Sequence, residues 1–445
     1  MRHSRIRRLP ARLALLSALA LAAGCGDRAI LRPVQSTGPY PQLPRPFSPV
    51  VPTVNIATAI GWPAGTAPVP AQDGLRVAAF ADNLAHPRTL LVLPNGDVLV
   101  TETASPGPDR GHEDRSVRGA VMYTLMGEAG ANVRSANRIM LLRDADGDGV
   151  AESRLPYITQ GLNSPFGMAL IGDRLYVANA DALVAFPYDP RATEITANPR
   201  QVTWLPAQRN HHWTKSLAAG PDGMLYVGVG SNSNVGEHGM REERERAAIW
   251  RVDPRTGRHS LYATGLRNPA AIQFLPGTDQ LYAAVNERDE LGSDLVPDYL
   301  TRVTEGGFYG WPWSYYGGHA DPRAPTRRPD MIERSLVPDY ALGAHVAPLG
   351  IAFSRGQRLG PAYANGIFVG LHGSWNRRPL AGYNVVFLRL ENGRPVGNPV
   401  EVLGGFVDAR QQRAMGRPVG VAVARDGSLL VADDVGGRVW RVSRR

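Results

Sequence analysis

Asn210-His211-His212-Trp213-Thr214 sets two adjacent histidines beside an indole. Imidazole is the side chain whose ordinary proton affinity lies near neutrality, so a histidine in a dry channel can take a proton from a hydroxyl group. Neighbouring residues of an extended segment point to opposite faces. Only one of the pair can face a site, and the register selects His212. Arg267-Asn268 and Arg417 are of a different kind. Guanidinium groups pair bidentately with carboxylates, so several around one opening imply an anionic ligand. Glu287, Asp289, Glu290 and Asp294 crowd the same stretch of sequence as Arg267, a composition that suits a hard cation such as calcium. A separate run, Asp144-Ala145-Asp146-Gly147-Asp148-Gly149, resembles the start of an EF-hand loop. Leu155 stands where that loop ends in glutamate, so the full motif is absent, and Glu152 is placed to complete a smaller calcium loop.

These residues are positioned by a repeat. One module recurs: a proline lead-in, a strand of small apolar residues, a turn with glycine or aspartate, and a second apolar strand. It is seen at Pro87–Val100, Pro165–Val177, Ser216–Val227, Pro269–Tyr282, Pro348–Val369 and Pro418–Val431. Asn95-Gly96, Asp222-Gly223 and Asp426-Gly427 are hairpin signals between short apolar runs. The copies average about 66 residues apart, against roughly 40–45 for a propeller blade. Insertions therefore interrupt the blades, the largest near 105–136 and 296–345. The predicted fold is all-β, a six-bladed β-propeller.

The hairpin also predicts where the chemistry lies. The start of the first strand and the end of the second share one end of an antiparallel pair, and the inner strands of a propeller surround a channel. Asn163, His211, His212, Arg267, Asn268, His345 and Arg417 lead into first strands. Glu102, Asn179, Ser231, Asn232, Asn286, Glu287, His372 and Asp433 follow second strands. Together they should ring one mouth, as a concave polar site would; strand ends are also polar for solvation alone.

The N-terminus carries Arg2, Arg5, Arg7, Arg8 and Arg12, then an apolar run from Leu13 to Ala23 ending at Gly24-Cys25. The run is too short for a permanent membrane span. It reads as a lipoprotein signal over residues 1–24, with Cys25, the single cysteine, as the lipidated first residue of an exported, membrane-anchored protein facing the periplasm or the cell exterior. Without the five signal arginines, 44 basic residues face 40 acidic ones. The signs are interspersed, which excludes a nucleic-acid footprint. Residues 25–74 are rich in proline and read as a semi-rigid linker, leaving 75–445 for the propeller. Contact with the membrane is expected through the lipid alone.

Gly265-Leu266-Arg267-Asn268-Pro269, Gly306-Gly307-Phe308-Tyr309-Gly310-Trp311-Pro312, Gly373-Ser374-Trp375-Asn376 and Gly416-Arg417-Pro418-Val419 occur in that order. Over roughly residues 75–445 they resemble the glucose/sorbosone dehydrogenase family, nearest its sorbosone branch. The resemblance implies a six-bladed propeller that binds pyrroloquinoline quinone (PQQ) and calcium and oxidises a small-molecule sugar or sugar-derived aldehyde, with an unknown electron acceptor. It implies that His212 is the general base and that Arg267 stabilises developing negative charge. It also implies cofactor contacts from Arg267, Asn268, His345, His372 and Arg417. Asn163, His211 and Trp213 are expected to contact substrate. Glu287, Arg288 and Asp289 are expected at the pocket calcium, and Asp144, Asp146 and Asp148 at a structural one. The chain departs from the family at Ser231, in place of an aspartate that orients the histidine, at Val419, in place of a cofactor arginine, and around Arg288-Asp289, in place of a calcium-binding glycine–proline pair.

Two other functions fit parts of the pattern. A calcium-dependent lactonase-like hydrolase would hold a channel metal with Glu102, Asn179, Asn286 and Asp433. A non-catalytic ligand-binding propeller would need only the fold. Arginines facing the channel favour the quinoprotein. The aromatic run from Phe308 to Tyr316 either stacks on a sugar or packs a loop.

Overall fold

The computed structural model describes residues 27–48, 53–106 and 117–445. The expected signal segment and Cys25 lie outside the described residues. Six sheets of antiparallel strands form the six blades, five with four strands and one with five. Blade one comprises Pro87–Val92, Val98–Glu102, Arg138–Arg143 and Ser153–Ile158, and the chain passes from the centre outwards. Blade six is completed by both ends of the propeller. Leu75–Ala81 pairs with Arg438–Arg444, which closes the ring and leaves no open seam.

The repeated hairpins are the two inner strands of each blade, as the sequence predicts. Pro87 pairs with Glu102, Pro269 with Val285, Pro348 with Leu371 and Pro418 with Asp433. First strands of neighbouring blades touch around the axis. A side chain at Gly167 would meet the backbone of Leu217, and one at Gly350 would meet Val419. Small residues in the inner strands are what let six strands converge there. Between blades the faces are apolar. Phe368, Phe387, Trp440 and Val442 pack as one buried cluster between blades five and six, and a buried phenylalanine contributes roughly 1.5–3 kcal/mol relative to exposure.

Two features reach the mouth from outside the blades. Residues 303–339, inserted between Pro297–Arg302 and Tyr340–Ala344, climb the groove between blades three and four. Tyr309 N and Trp311 N donate to Thr264 O and Gly265 O. Phe308, Tyr309, Trp311, Tyr315 and Tyr316 are buried, so these rings pack the insertion. The second feature corrects an expectation. The described part of the proline-rich stretch is not a tether held away from the body. Asp27 accepts from Ser293 N (2.8 Å), Asp294 accepts from Ile30 N (2.6 Å), and Trp62 donates to Asp433 (2.6 Å). It is a strap laid across the rim from blade four to blade six.

Candidate active site

The lead-in segments are held by the residues that follow each second strand. Glu102 accepts from Ala85 N (2.6 Å), Asn179 from Asn163 N (3.1 Å), Asn232 from His211 N (3.2 Å) and Asp433 from Arg417 N (2.8 Å). Much of the polarity at the strand ends is therefore bracing. Glu102 is also bonded to Arg138, and Asp433 takes both Trp62 and Trp440 indole N–H groups. Three of the four side chains of the metal set imagined for a lactonase, Glu102, Asn179 and Asp433, are thus committed to bracing, while Asn286 Oδ1 is buried without a partner.

His212 lies at the centre of what the braces hold. Its Nδ1 is 2.7 Å from Ser231 O and 3.1 Å from Ser231 Oγ. A carbonyl oxygen only accepts, so Nδ1 carries the proton and Nε2 keeps its lone pair. The backbone does here what an aspartate would do, so Ser231 costs the histidine no orientation. Burial first, then the charge of Arg267, holds the His212 pKa well below the ordinary histidine value. The ring is thus neutral and ready to accept a proton. Gly230 makes room for it: a Cβ there would stand 2.5 Å from Asn268 Oδ1 and 2.6 Å from His212 Cβ. Lys215, the single lysine of the chain, is buried beneath. Its Nζ donates to Asn210 Oδ1 (3.1 Å), His212 O (3.2 Å) and Trp213 O (3.1 Å) and so ties down the histidine turn.

Of the expected substrate contacts, His211 is exposed and stands edge-on to His212, with ring centres 4.6 Å apart. Trp213 packs edge-on against Phe166. The Asn163 amide is turned to Asp181 (2.6 Å).

Arg267 and Asn268 flank the histidine. Arg267 donates to Glu287 O (2.6 Å), Asn234 Oδ1 (2.9 Å) and Asp289 Oδ2 (3.2 Å). Asp289 also accepts from Asn376 (2.8 Å) and lies 3.5 Å from His345 Nδ1. His345 Nε2 donates to Gly292 O (3.0 Å). Burial pushes the Asp289 pKa up, but its contact with His345, the Arg267 charge and the hydrogen bond it accepts from Asn376 outweigh this and hold it down at about 2.

The expected pocket calcium set is corrected here. Glu287 and Arg288 turn away from the channel and pair with each other (2.9 Å), and Arg288 also reaches Asp321 (3.3 Å) and Ser314 O (2.7 Å) of the climbing insertion. Arg288 donates to Glu287 Oε2 while Glu287 Oε1 is buried without a partner, and Asp289 is committed to Arg267 and Asn376. The Arg288 guanidinium, itself a buried cation, is no ligand for a divalent ion, so the three residues do not act together as a calcium set.

A second basic cluster sits across the mouth, and sequence reasoning found only part of it. Asp434 takes Arg88 NH1 (2.5 Å) and His372 Nε2 (2.9 Å), with His86 Nε2 at 3.5 Å. Burial brings the His372 pKa to about 4, against the pull of Asp434. Arg417, close enough to lower the pKa of both histidines, bonds Tyr383 OH (3.1 Å) and has no carboxylate partner among the described residues. Arg88 Nε and Arg417 Nε are buried with no hydrogen-bond partner. Two guanidinium groups with unused donors, beside two histidines, fit an anionic group carrying carboxylates. Arg88, His86 and Asp434 were missed. Arg88 lies just inside the first strand, and Asp434 is the neighbour of the residue that strand-end counting selects.

Away from the mouth, ligand oxygens of Asp144, Asp146, Asp148 and Glu152 lie within 4.8 Å of one another on the exposed loop between Arg138–Arg143 and Ser153–Ile158.

The family described as TrAA12-like matches residues 132–299 and 330–445. A pyrroloquinoline quinone-dependent pyranose dehydrogenase of Coprinopsis cinerea is 22% identical over 435 residues, and the match covers 84% of this chain and 54% of that protein. The chain thus spans about half the length of that relative. An uncharacterized protein of Borreliella burgdorferi is 29% identical over 307 residues, covering 66% of this chain and 79% of that one. Among solved structures, the calcium structure of Trichoderma reesei Carbohydrate-Active Enzymes Family AA12 superposes with a TM-score of 0.67 at 18% identity, over 88% of this chain and 99% of that one. The holo PQQ domain of the Coprinopsis cinerea pyranose dehydrogenase gives 0.63 at 19% identity, over 87% and 100%. The PQQ-bound aldose sugar dehydrogenase of Streptomyces coelicolor gives 0.54 at 19% identity, over 85% and 100%. At these identities the structures establish a shared propeller fold.

Proposed function

The chain belongs to the TrAA12-like family, and on that premise we propose that it is a quinoprotein dehydrogenase of sugars or sugar-derived aldehydes. The observation that carries the reading is the pairing at one mouth of a neutral histidine of fixed tautomer with two arginines, Arg88 and Arg417, whose Nε groups are buried and unpartnered. PQQ is a tricarboxylate, and a relative that shares this fold, the pyranose dehydrogenase of Coprinopsis cinerea, depends on it. Arg88, Arg417, His86 and His372 would hold its carboxylates, with Arg267 and Asn268 beside its quinone. When bound, the quinone supplies the acceptor for the hydride of the substrate C–H bond.

The chain's own part is to place the substrate and take its proton. His212 Nε2 accepts the hydroxyl proton of the carbon being oxidised, while Ser231 O holds the opposite ring nitrogen. Arg267 faces the site with a permanent positive charge, a preorganised partner for negative charge that develops in the reaction. The anomeric hydroxyl of an aldose and the hydrate of a sorbosone-type aldehyde offer the same O–H and C–H pair, and both are in the proposed substrate class. The protein is proposed to work outside the cytoplasm, anchored through Cys25 and passing electrons to an external acceptor. Calcium is assigned to the loop of Asp144, Asp146, Asp148 and Glu152, and no step of the reaction is assigned to it.

The test is reconstitution of the purified protein with PQQ, with and without calcium, followed by dye reduction across aldoses and sugar aldehydes. Saturable PQQ binding with turnover on at least one of them is expected. Absence of both would overturn the reading.

A further inference from the structure

A cavity of about 700 Å³ opens beside the mouth, between the end of blade two and the loop 231–247 of blade three. Its size is that of a ligand site. Arg209, Arg241, Arg244 and Arg246 line it, facing the carboxylates of Asp181 and Glu242. Asp181 is already engaged by Asn163 (2.6 Å). Arg209, Arg241 and Arg244 are exposed and have no carboxylate partner among the described residues. The wall also carries Trp204, the last residue of the strand Arg200–Trp204, with 66% of its surface exposed. An indole open to solvent on the wall of a cavity offers a flat apolar face, and a pyranose ring presents an apolar face of matching size.

This cavity shares a wall with the histidine site. Arg246 reaches Gly230 O (3.3 Å) and Asn210 Oδ1 (3.4 Å), the same oxygen that Lys215 uses to fix the His212 turn. Asn232, also in the lining, braces His211 N (3.2 Å). The arginine loop is itself pinned from below. Buried Glu243 accepts from Asn232 N (2.7 Å) and from Ser233 Oγ, so Arg241 and Arg244 project from a fixed turn.

We propose that the cavity is a second saccharide subsite selective for an acidic sugar. A uronate carboxylate is taken by Arg209, Arg241 and Arg244 while its ring covers Trp204. The natural substrate is then an acidic oligosaccharide whose reducing end extends towards His212. The role of that reducing end rests on the reaction proposed above, but the binding does not.

The test is calorimetry on the full chain without PQQ, titrated with digalacturonate and with the neutral disaccharide lactose. Digalacturonate is expected to bind at least ten-fold more tightly than lactose and to weaken as salt is raised. The exposed double variant Arg241→Gln/Arg244→Gln is expected to lose that preference, and Trp204→Ala to weaken digalacturonate ten-fold or more. Equal binding of the two sugars would overturn the proposal. So would inorganic sulfate matching digalacturonate with Trp204→Ala showing no effect, the behaviour of a simple anion site. Because the cofactor is absent, a failure here is separate from a failure of the dehydrogenase reading.

Discussion

His212 Nδ1 and the carbonyl oxygen of Ser231 are 2.7 Å apart, so a peptide group fixes the tautomer of the proposed base. A backbone brace is insensitive to the side chain that carries it. Ser231→Ala should therefore keep kcat within about five-fold, whereas His212→Ala should lose roughly 10²–10⁴-fold, the scale of general base catalysis, with PQQ affinity unchanged. Single-turnover kinetics and PQQ titration check both. A hundred-fold loss in Ser231→Ala would mean that the hydroxyl, and not the carbonyl, positions the ring.

The depressed proton affinity of His212 has a kinetic signature. Only the neutral ring can accept a proton, so activity persists as pH falls through the ordinary histidine range and fails well below it. Removing the Arg267 charge favours the protonated ring and raises its pKa. The acid limb of kcat/KM for Arg267→Gln should move to higher pH, whatever happens to its height. A limb that stays in place would remove Arg267 as a cause of the depression.

Arg88 and Arg417 are proposed to share the carboxylates of one ligand. Arg88→Gln and Arg417→Gln should each weaken PQQ binding by about 10- to 100-fold, the loss of a charge-assisted hydrogen bond worth roughly 1.5–3 kcal/mol. Fluorescence titration measures this without turnover. Unchanged affinity in both variants would place the cofactor elsewhere.

His372 links the same cluster to stability. Its folded pKa of about 4 lies below that of a free histidine, so the unfolded chain binds the proton first as the solution is acidified. Stability is fully present above the unfolded value near 6.5 and is lost as pH falls from there through 4, by up to about 3 kcal/mol. His372→Gln should flatten the slope of thermal stability over that window. An identical slope in the variant would show that another group carries it.

The acidic loop and the mouth should respond separately to chelation. EDTA is expected to lower the melting temperature of the parent, and Asp144→Asn/Asp148→Asn to abolish that response. PQQ affinity should not change in either case. Loss of PQQ binding on chelation would put a cation at the mouth after all.

The propeller was legible because its inner hairpin is local. Turn residues and small-apolar strands recur within a few residues of one another, and their register placed His212, Arg267, Asn268 and Arg417 at one mouth. The site's partners were legible only where they obeyed that counting. Arg88 and Asp434 sit one position inside or beyond it. Glu287 and Arg288 looked like mouth residues because nothing in their neighbourhood reveals Asp321, which a long insertion carries in from 33 residues away. The strand-end residues Glu102, Asn179 and Asp433 were polar for a reason that sequence does not separate from catalysis: each caps a segment that must stop at the rim. Proline density in turn signals extended chain but does not say whether that chain finds a surface. Trp62 and Asp27 supply the contacts that lay it down.

With a lipid at Cys25, as proposed, that strap would set which way the molecule faces. Asp27 is stitched to Ser293, on the loop that also carries Asp289. Only Gly26 separates Cys25 from Asp27, at most about 7 Å of chain. A lipid carried at Cys25 would therefore work as a hinge pin at the rim and not as a mast beneath the body. The opening over His212 would lie alongside the bilayer, within short reach of a redox partner dissolved in it, while the far end of the channel would look outward.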